Sequence, residues 1–144
     1  MKVYIGADHR GYTLKEQLKK YLTKIDLVDT TPEHNPQDDY PDIAKTVAEK
    51  VAKDPESRGI IICGRGRGVD LAANKVNGAR AGLGISTKQV KDATEEDNIN
   101  ILALASDFTE PEDAKDLVDI FLKTQYIPED RRERRLEKIA NLEK

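Results

Sequence analysis

Apolar residues along this chain gather into short unbroken runs, and the stretches between them carry helical spacing. Five of the runs read as strands: Val3 to Ala7, Ile25 to Val28, Gly59 to Cys63, Ala79 to Leu83 and Ile101 to Leu104. Few polar residues interrupt them, the pattern of a parallel sheet covered on both faces. Between the runs the period lengthens. Leu14, Leu18, Leu22 and Ile25 follow Gly11, and Ile43, Val47 and Val51 follow Tyr40-Pro41. Leu117, Ile120 and Phe121 follow the helix-start signal Thr109-Glu110-Pro111, with Asp113 near the opening. This alternation predicts an open α/β sheet with right-handed crossovers. A last amphipathic helix, from about residue 128, carries Leu136, Ile139 and Leu142, apolar surface that a homodimer would cover.

Composition narrows the class. The 144 residues, without an internal repeat or low-complexity tract, make one domain, 1–144, able to bury a core. A net charge of -3 gives no general pull toward nucleic acid or an anionic membrane. No apolar run approaches the roughly 20 residues of a membrane helix, and Met1 to Gly6 runs into polar residues unlike a signal peptide. The single cysteine forms no internal disulfide, which makes a reducing cytoplasm the expected setting. Cys63, His9 and His34 are too few for a cysteine–histidine zinc site, and no metal is expected.

Ligands of such sheets bind beyond the carboxyl ends of the strands. Asp8-His9, the residues after Leu83 and the turn Cys63-Gly64-Arg65-Gly66-Arg67-Gly68 all fall there. Alternate glycines and the helix start behind them form a cradle for a phosphate or an enediolate oxygen, and Arg65 and Arg67 push the same way. Cys63 beside that cradle is a usable base or nucleophile. The same residues also suit a ligand-free turn around an inert buried thiol. They do not form a dinucleotide fingerprint, which needs G-x-G-x-x-G after the first strand and an acidic residue about 20 positions on. Asp8 and His9 suit proton transfer or contact with sugar hydroxyls, or else a turn and cap. The stretch Thr30 to Asp39 reads as a plain loop that sets the Tyr40 ring over a pocket. Arg131 and Arg135 share a helix face able to clamp a phosphate. The plainer reading is a solvated face in register with Glu133 and Glu137, and interleaved aromatics for nucleic acid are missing.

In this order the segments resemble the family of ribose-5-phosphate isomerase B and galactose-6-phosphate isomerase. The likeness rests on Gly6-x-Asp8-His9-Arg10-Gly11-Tyr12 with Leu14-Lys15, then Asp39-Tyr40-Pro41-Asp42 and Cys63-Gly64-x-Gly66-x-Gly68. Ala72-Ala73-Asn74-Lys75, Gly78-x-Arg80-Ala81, Asn100-x-Leu102-Ala103 and Arg131-x-x-x-Arg135 complete it. The resemblance implies a Rossmann-like, three-layer α/β/α domain with a five-stranded parallel sheet. It also implies a dimer or tetramer whose sites are shared between subunits, and cofactor-free aldose–ketose isomerisation of a phosphorylated sugar. By the same resemblance Cys63 is the base that moves a proton between C1 and C2. Gly64, Gly66 and Gly68 then stabilise a cis-enediolate, while Asp8, His9, Tyr40, Arg131 and Arg135 contact sugar or phosphate.

Four residues at three places depart from the family's pattern. Arg65 stands where a threonine or serine is usual, Glu96-Asp97 where a His-Asn pair serves ring opening and sugar hydroxyls, and Asp107 where an arginine binds phosphate. Glu96 is then a candidate acid–base for ring opening, since a carboxylic acid with a raised pKa does such work. Asp97 takes the hydroxyl contacts, and Arg65 and Arg67 favour a ligand anion near the loop. The departures fit an isomerase with altered substrate geometry, in which Glu96, Asp97 and Asp107 weaken the family's usual phosphate placement by like-charge repulsion and ribose 5-phosphate is a poor substrate. They also fit a catalytically silent sugar-phosphate-binding or partner subunit of a mixed oligomer.

Overall fold

The computed structural model describes residues 1–143. The first half runs β1 (Lys2–Ala7), α1 (Tyr12–Tyr21), β2 (Asp26–Asp29), α2 (Tyr40–Lys53), β3 (Arg58–Cys63) and α3 (Arg67–Ala73). The second half runs β4 (Ala81–Leu83), α4 (Thr87–Asp97), β5 (Ile101–Ala105), α5 (Pro111–Lys123) and α6 (Asp130–Ala140). The strands form one parallel sheet in the order β2-β1-β3-β5-β4. This is the Rossmann-like three-layer architecture that the patterning and the resemblance predict.

The unbroken apolar runs belong to strands buried on both faces. Ile60 and Ile62 pack into one cluster with Leu14 and Leu18 of α1, Val90 of α4 and Leu117 and Phe121 of α5. Ile61 and Cys63, pointing the other way, pack with Val47 and Val51 of α2 and Val69 and Ala73 of α3. Each fully buried Ile or Phe contributes about 1.5–3 kcal/mol relative to exposure. The register sets the site: Ala7 lies opposite Ile62, and Cys63 opposite Ala105. The residues that leave β1, β3 and β5 therefore emerge side by side at one edge.

Local differences from the patterning have local causes. Ile25 lies beyond α1, which ends at Tyr21, and packs from a loop against the first cluster. β4 starts at Ala81, and Ala79 instead closes a turn through its N–H to the Val76 carbonyl at 3.0 Å. Helix α4 buries only Val90 and Thr94, too few apolar positions for a period to show, and is started by Ser86, whose side chain accepts from the Gln89 N–H.

Candidate active site

The carboxyl edge of the three central strands encloses a cavity of about 550 Å³ lined by Asp8, Arg10, Tyr40, Cys63, Gly64, Arg65, Arg67 and Gly68. Cys63 ends β3, is 4% exposed and closes the inner wall of that cavity while packing on the α2 and α3 side. Gly66 adopts the left-handed conformation at φ 74° before α3, which glycine accepts without penalty. Gly64 and Gly68 answer a different need. The Arg10 guanidinium lies against Gly64, and the Tyr40 ring covers Gly68 so closely that an added Cβ would meet its Cε2 at 2.5 Å. Two of the three glycines thus make room for side chains that line the cavity.

Asp8 is buried, and its Oδ1 accepts the N–H groups of Arg10 and Gly11, both at 3.0 Å. That bond pattern fixes the turn between β1 and α1. His9 is outside the cavity lining and turns to Asp38, whose Oδ1 accepts the His9 N–H at 2.9 Å and pairs with Nδ1 at 2.8 Å. The Asp38 hydrogen bond raises the His9 pKa, outweighing burial, and the charges of Asp8 and Asp38 add to it. Oxygen and nitrogen atoms of Asp8, His9 and Asp38 lie within 4.8 Å of one another. Their bonds to each other and to the turn account for that proximity. The stretch Thr30 to Asp39 is therefore more than a plain loop. Besides Asp38 it supplies Thr31, whose Oγ1 accepts the Ala7 N–H at 3.0 Å, and the Pro32 carbonyl, which accepts from the Tyr12 hydroxyl at 3.1 Å.

A second connection ties β5 into the site. The Ser106 and Asp107 N–H groups donate to the Cys63 and Gly64 carbonyls, each at 2.9 Å. The Ser106 hydroxyl also bonds the Arg10 carbonyl at 3.0 Å and the Cys63 carbonyl at 3.2 Å. Asp107 in turn pairs with the Arg10 guanidinium. Arg10, Asp38 and Ser106 are the residues that sequence reasoning missed as parts of the site, since each acts through a partner distant in the chain.

The remaining candidates lie elsewhere on the same chain. Glu96 and Asp97 end α4, which returns to the amino ends of the strands, away from Cys63. Glu96 pairs with the buried Arg132 at 3.3 Å. Asp97 lines a separate cavity of about 670 Å³ with Arg80, Ile139 and Leu142. Arg131 pairs with Glu129 at 3.1 Å, and Arg135 is exposed on α6. The residues after Leu83 form a short connection that ends in Ser86, the cap of α4, and do not line the Cys63 cavity. No helix among the described residues is long and apolar enough to cross a membrane.

Comparison with known proteins places this geometry. Residues 3–139 match the family model described as Ribose/Galactose Isomerase. The chain is 41% identical to a probable ribose-5-phosphate isomerase B of Mycoplasma genitalium, over 99% of its own length and 95% of the relative's. It is 34% identical to ribose-5-phosphate isomerase B of Mycobacterium leprae, over 100% and 91%. A crystal structure of the Mycoplasma genitalium enzyme with bound ribulose-5-phosphate superposes with a TM-score of 0.92 at 40% identity, over 98% of this chain and 95% of that one. The type B enzyme of Trypanosoma brucei gives a TM-score of 0.94 at 37% identity, over 99% and 98%. With the strand order, the glycine turn and the full-length identity in agreement, this chain belongs to the ribose/galactose isomerase family.

Proposed function

We propose that the protein interconverts an aldose phosphate and its ketose, with a five-carbon sugar phosphate as substrate and Cys63 as the base. The observation that carries this reading is Cys63 at the carboxyl end of β3, set in the wall of a cavity with the glycine turn and three arginines. With the open-chain aldose bound, the Cys63 thiolate takes the C2 proton. The C–H electrons form the C1=C2 double bond, and the carbonyl electrons move to O1. N–H groups of the glycine turn hold that oxyanion. The O2 proton passes to O1, the C2 carbonyl forms, and the thiol returns its proton to C1. Relatives that carry ribose-5-phosphate isomerase B names support the substrate class.

The substituted positions fit this reading better in three dimensions than in sequence. Asp107, which on charge alone opposes a phosphate, is paired with Arg10, and Glu96 is paired with Arg132. Two of the departures, Asp107 and Glu96, are thus neutralised within the chain. Residues from both groups serve one site only if the Cys63 group of one subunit meets the Glu96, Asp97, Arg131 and Arg135 group of another.

The test is turnover of ribose 5-phosphate to ribulose 5-phosphate by purified protein, followed together with exchange of the C2 proton with deuterated solvent. Rates of roughly 1–1000 per second are expected. Cys63→Ala is expected to lower kcat about 100- to 10,000-fold with the circular dichroism spectrum unchanged. Sugar phosphate binding without turnover or exchange in the wild type would instead establish the silent-subunit reading.

A further inference from the structure

Three guanidinium groups but only one carboxylate line the Cys63 cavity, and that carboxylate, Asp8, has an oxygen occupied by the N–H groups of its own turn. Of the three arginines, Arg10 alone is fixed at both ends. Its backbone is held by Asp8 Oδ1 at the N–H and by the Ser106 hydroxyl at the carbonyl. Its guanidinium lies on Gly64 and is paired through one terminal nitrogen with Asp107. Asp107 is itself placed by its N–H bond to the Gly64 carbonyl. The carboxylate therefore does not float beside the loop; it is anchored to the residue whose missing Cβ lets the guanidinium settle there.

A guanidinium carries five N–H donors in a rigid fork. The Asp107 pair engages one terminal nitrogen and leaves donors for a second oxyanion on the cavity side. The side chains remain about half-exposed, 47% for Arg10 and 36% for Asp107, so a ligand reaches the fork without breaking a buried core.

We infer that Arg10 binds the phosphoryl group of the ligand and that Asp107 is its positioning residue, one charge acting through the other. The inference rests on the sugar-phosphate reading above and adds a contact residue to it. It reverses the expectation that Asp107 weakens phosphate binding by repulsion, because the carboxylate orients a cation before it acts on the ligand.

The test is a double-mutant cycle read by calorimetry, with inorganic phosphate and ribose 5-phosphate as probes and neutral ribose as control. Arg10→Met is expected to weaken both phosphorylated probes at least tenfold and leave ribose unchanged. Arg10→Lys is expected to recover only part of the loss, because a point charge replaces the fork. Asp107→Asn is expected to weaken the phosphate probes three- to tenfold when Arg10 is present and not at all in Arg10→Met. Asp107→Glu should restore much of the affinity. Tighter phosphate binding by Asp107→Asn in the wild-type background would overturn the inference, as would equal loss with and without Arg10 or wild-type protein blind to inorganic phosphate. Absence of isomerase turnover with the cycle intact would strike the proposed reaction and leave this contact standing.

Discussion

The pairing of His9 with Asp38 turns a half-buried imidazole into a group that holds its proton more firmly. Because the folded pKa is raised, chiefly by the Asp38 hydrogen bond, the protonated form favours the folded state. That contribution is complete below the unfolded value of about 6.5 and is lost as pH rises through the folded value. Asp38→Asn is expected to lower the His9 pKa, read from its ring-proton shifts in an NMR titration. An unchanged midpoint would show that the pair has no hold on the proton. That Cys63, Asp8 and Tyr40 meet at one cavity is legible in the sequence, because each stands at or near a strand end or helix start that the local pattern marks. Arg10 and Asp38 are not, since the partners that give them meaning are 97 and 29 positions away.

At the level of elements, α1 owes its seat to a charge rather than to a cap. Lys15 is fully buried, with Nζ 2.8 and 3.0 Å from the Asp29 oxygens and 4.5 Å from the centre of the Tyr12 ring, and it also bonds the Thr31 carbonyl. This clamp ties α1 to the end of β2 and to the loop that carries Asp38. Lys15→Met would leave Asp29 with Lys19 at 2.7 Å as its remaining cation, so the cost should fall below the about 3–5 kcal/mol of stranding a buried charge without a partner. Urea unfolding should show a lower midpoint at unchanged slope. Burial pushes the Asp29 carboxyl up, yet the hydrogen bonds from Lys15 and Lys19 prevail and leave it below the ordinary range. The stability it confers is therefore present above about pH 4 and is lost as pH falls through the folded value. Apolar runs made the strands readable to within a residue or two. Lys15 at a helical core position breaks the polar–apolar code, and α4 lacks enough apolar positions to follow it, so neither showed in the pattern.

For the whole molecule the decisive fact is that the candidate residues fall into two groups at different ends of the sheet. If two copies complete each other's sites, inactive variants from opposite groups will complement. Cys63→Ala and Arg135→Ala proteins are each expected to be nearly inactive alone. Unfolded together in equal amounts and refolded, half the dimers should be mixed, each with one intact site, giving about a quarter of wild-type activity. A mixture no more active than its parents would place all working residues in one chain. Exposed Ile139 and Leu142 on and after α6 supply apolar area for such an association, and light scattering at micromolar concentration should show a dimer or larger.

Arg65 and Asp107 stand in the turns that follow β3 and β5, Arg67 opens α3, and all three side chains are exposed at the rim. Inheritance can thus alter what the pocket prefers while every methyl group of the interior stays in place. Drift at these positions incurs little folding penalty, since loop side chains half in water are seldom what keeps a domain folded. On the proposed sugar-phosphate reading, single codon changes at the rim would retune which anion the pocket takes, with the sheet as an unchanging chassis.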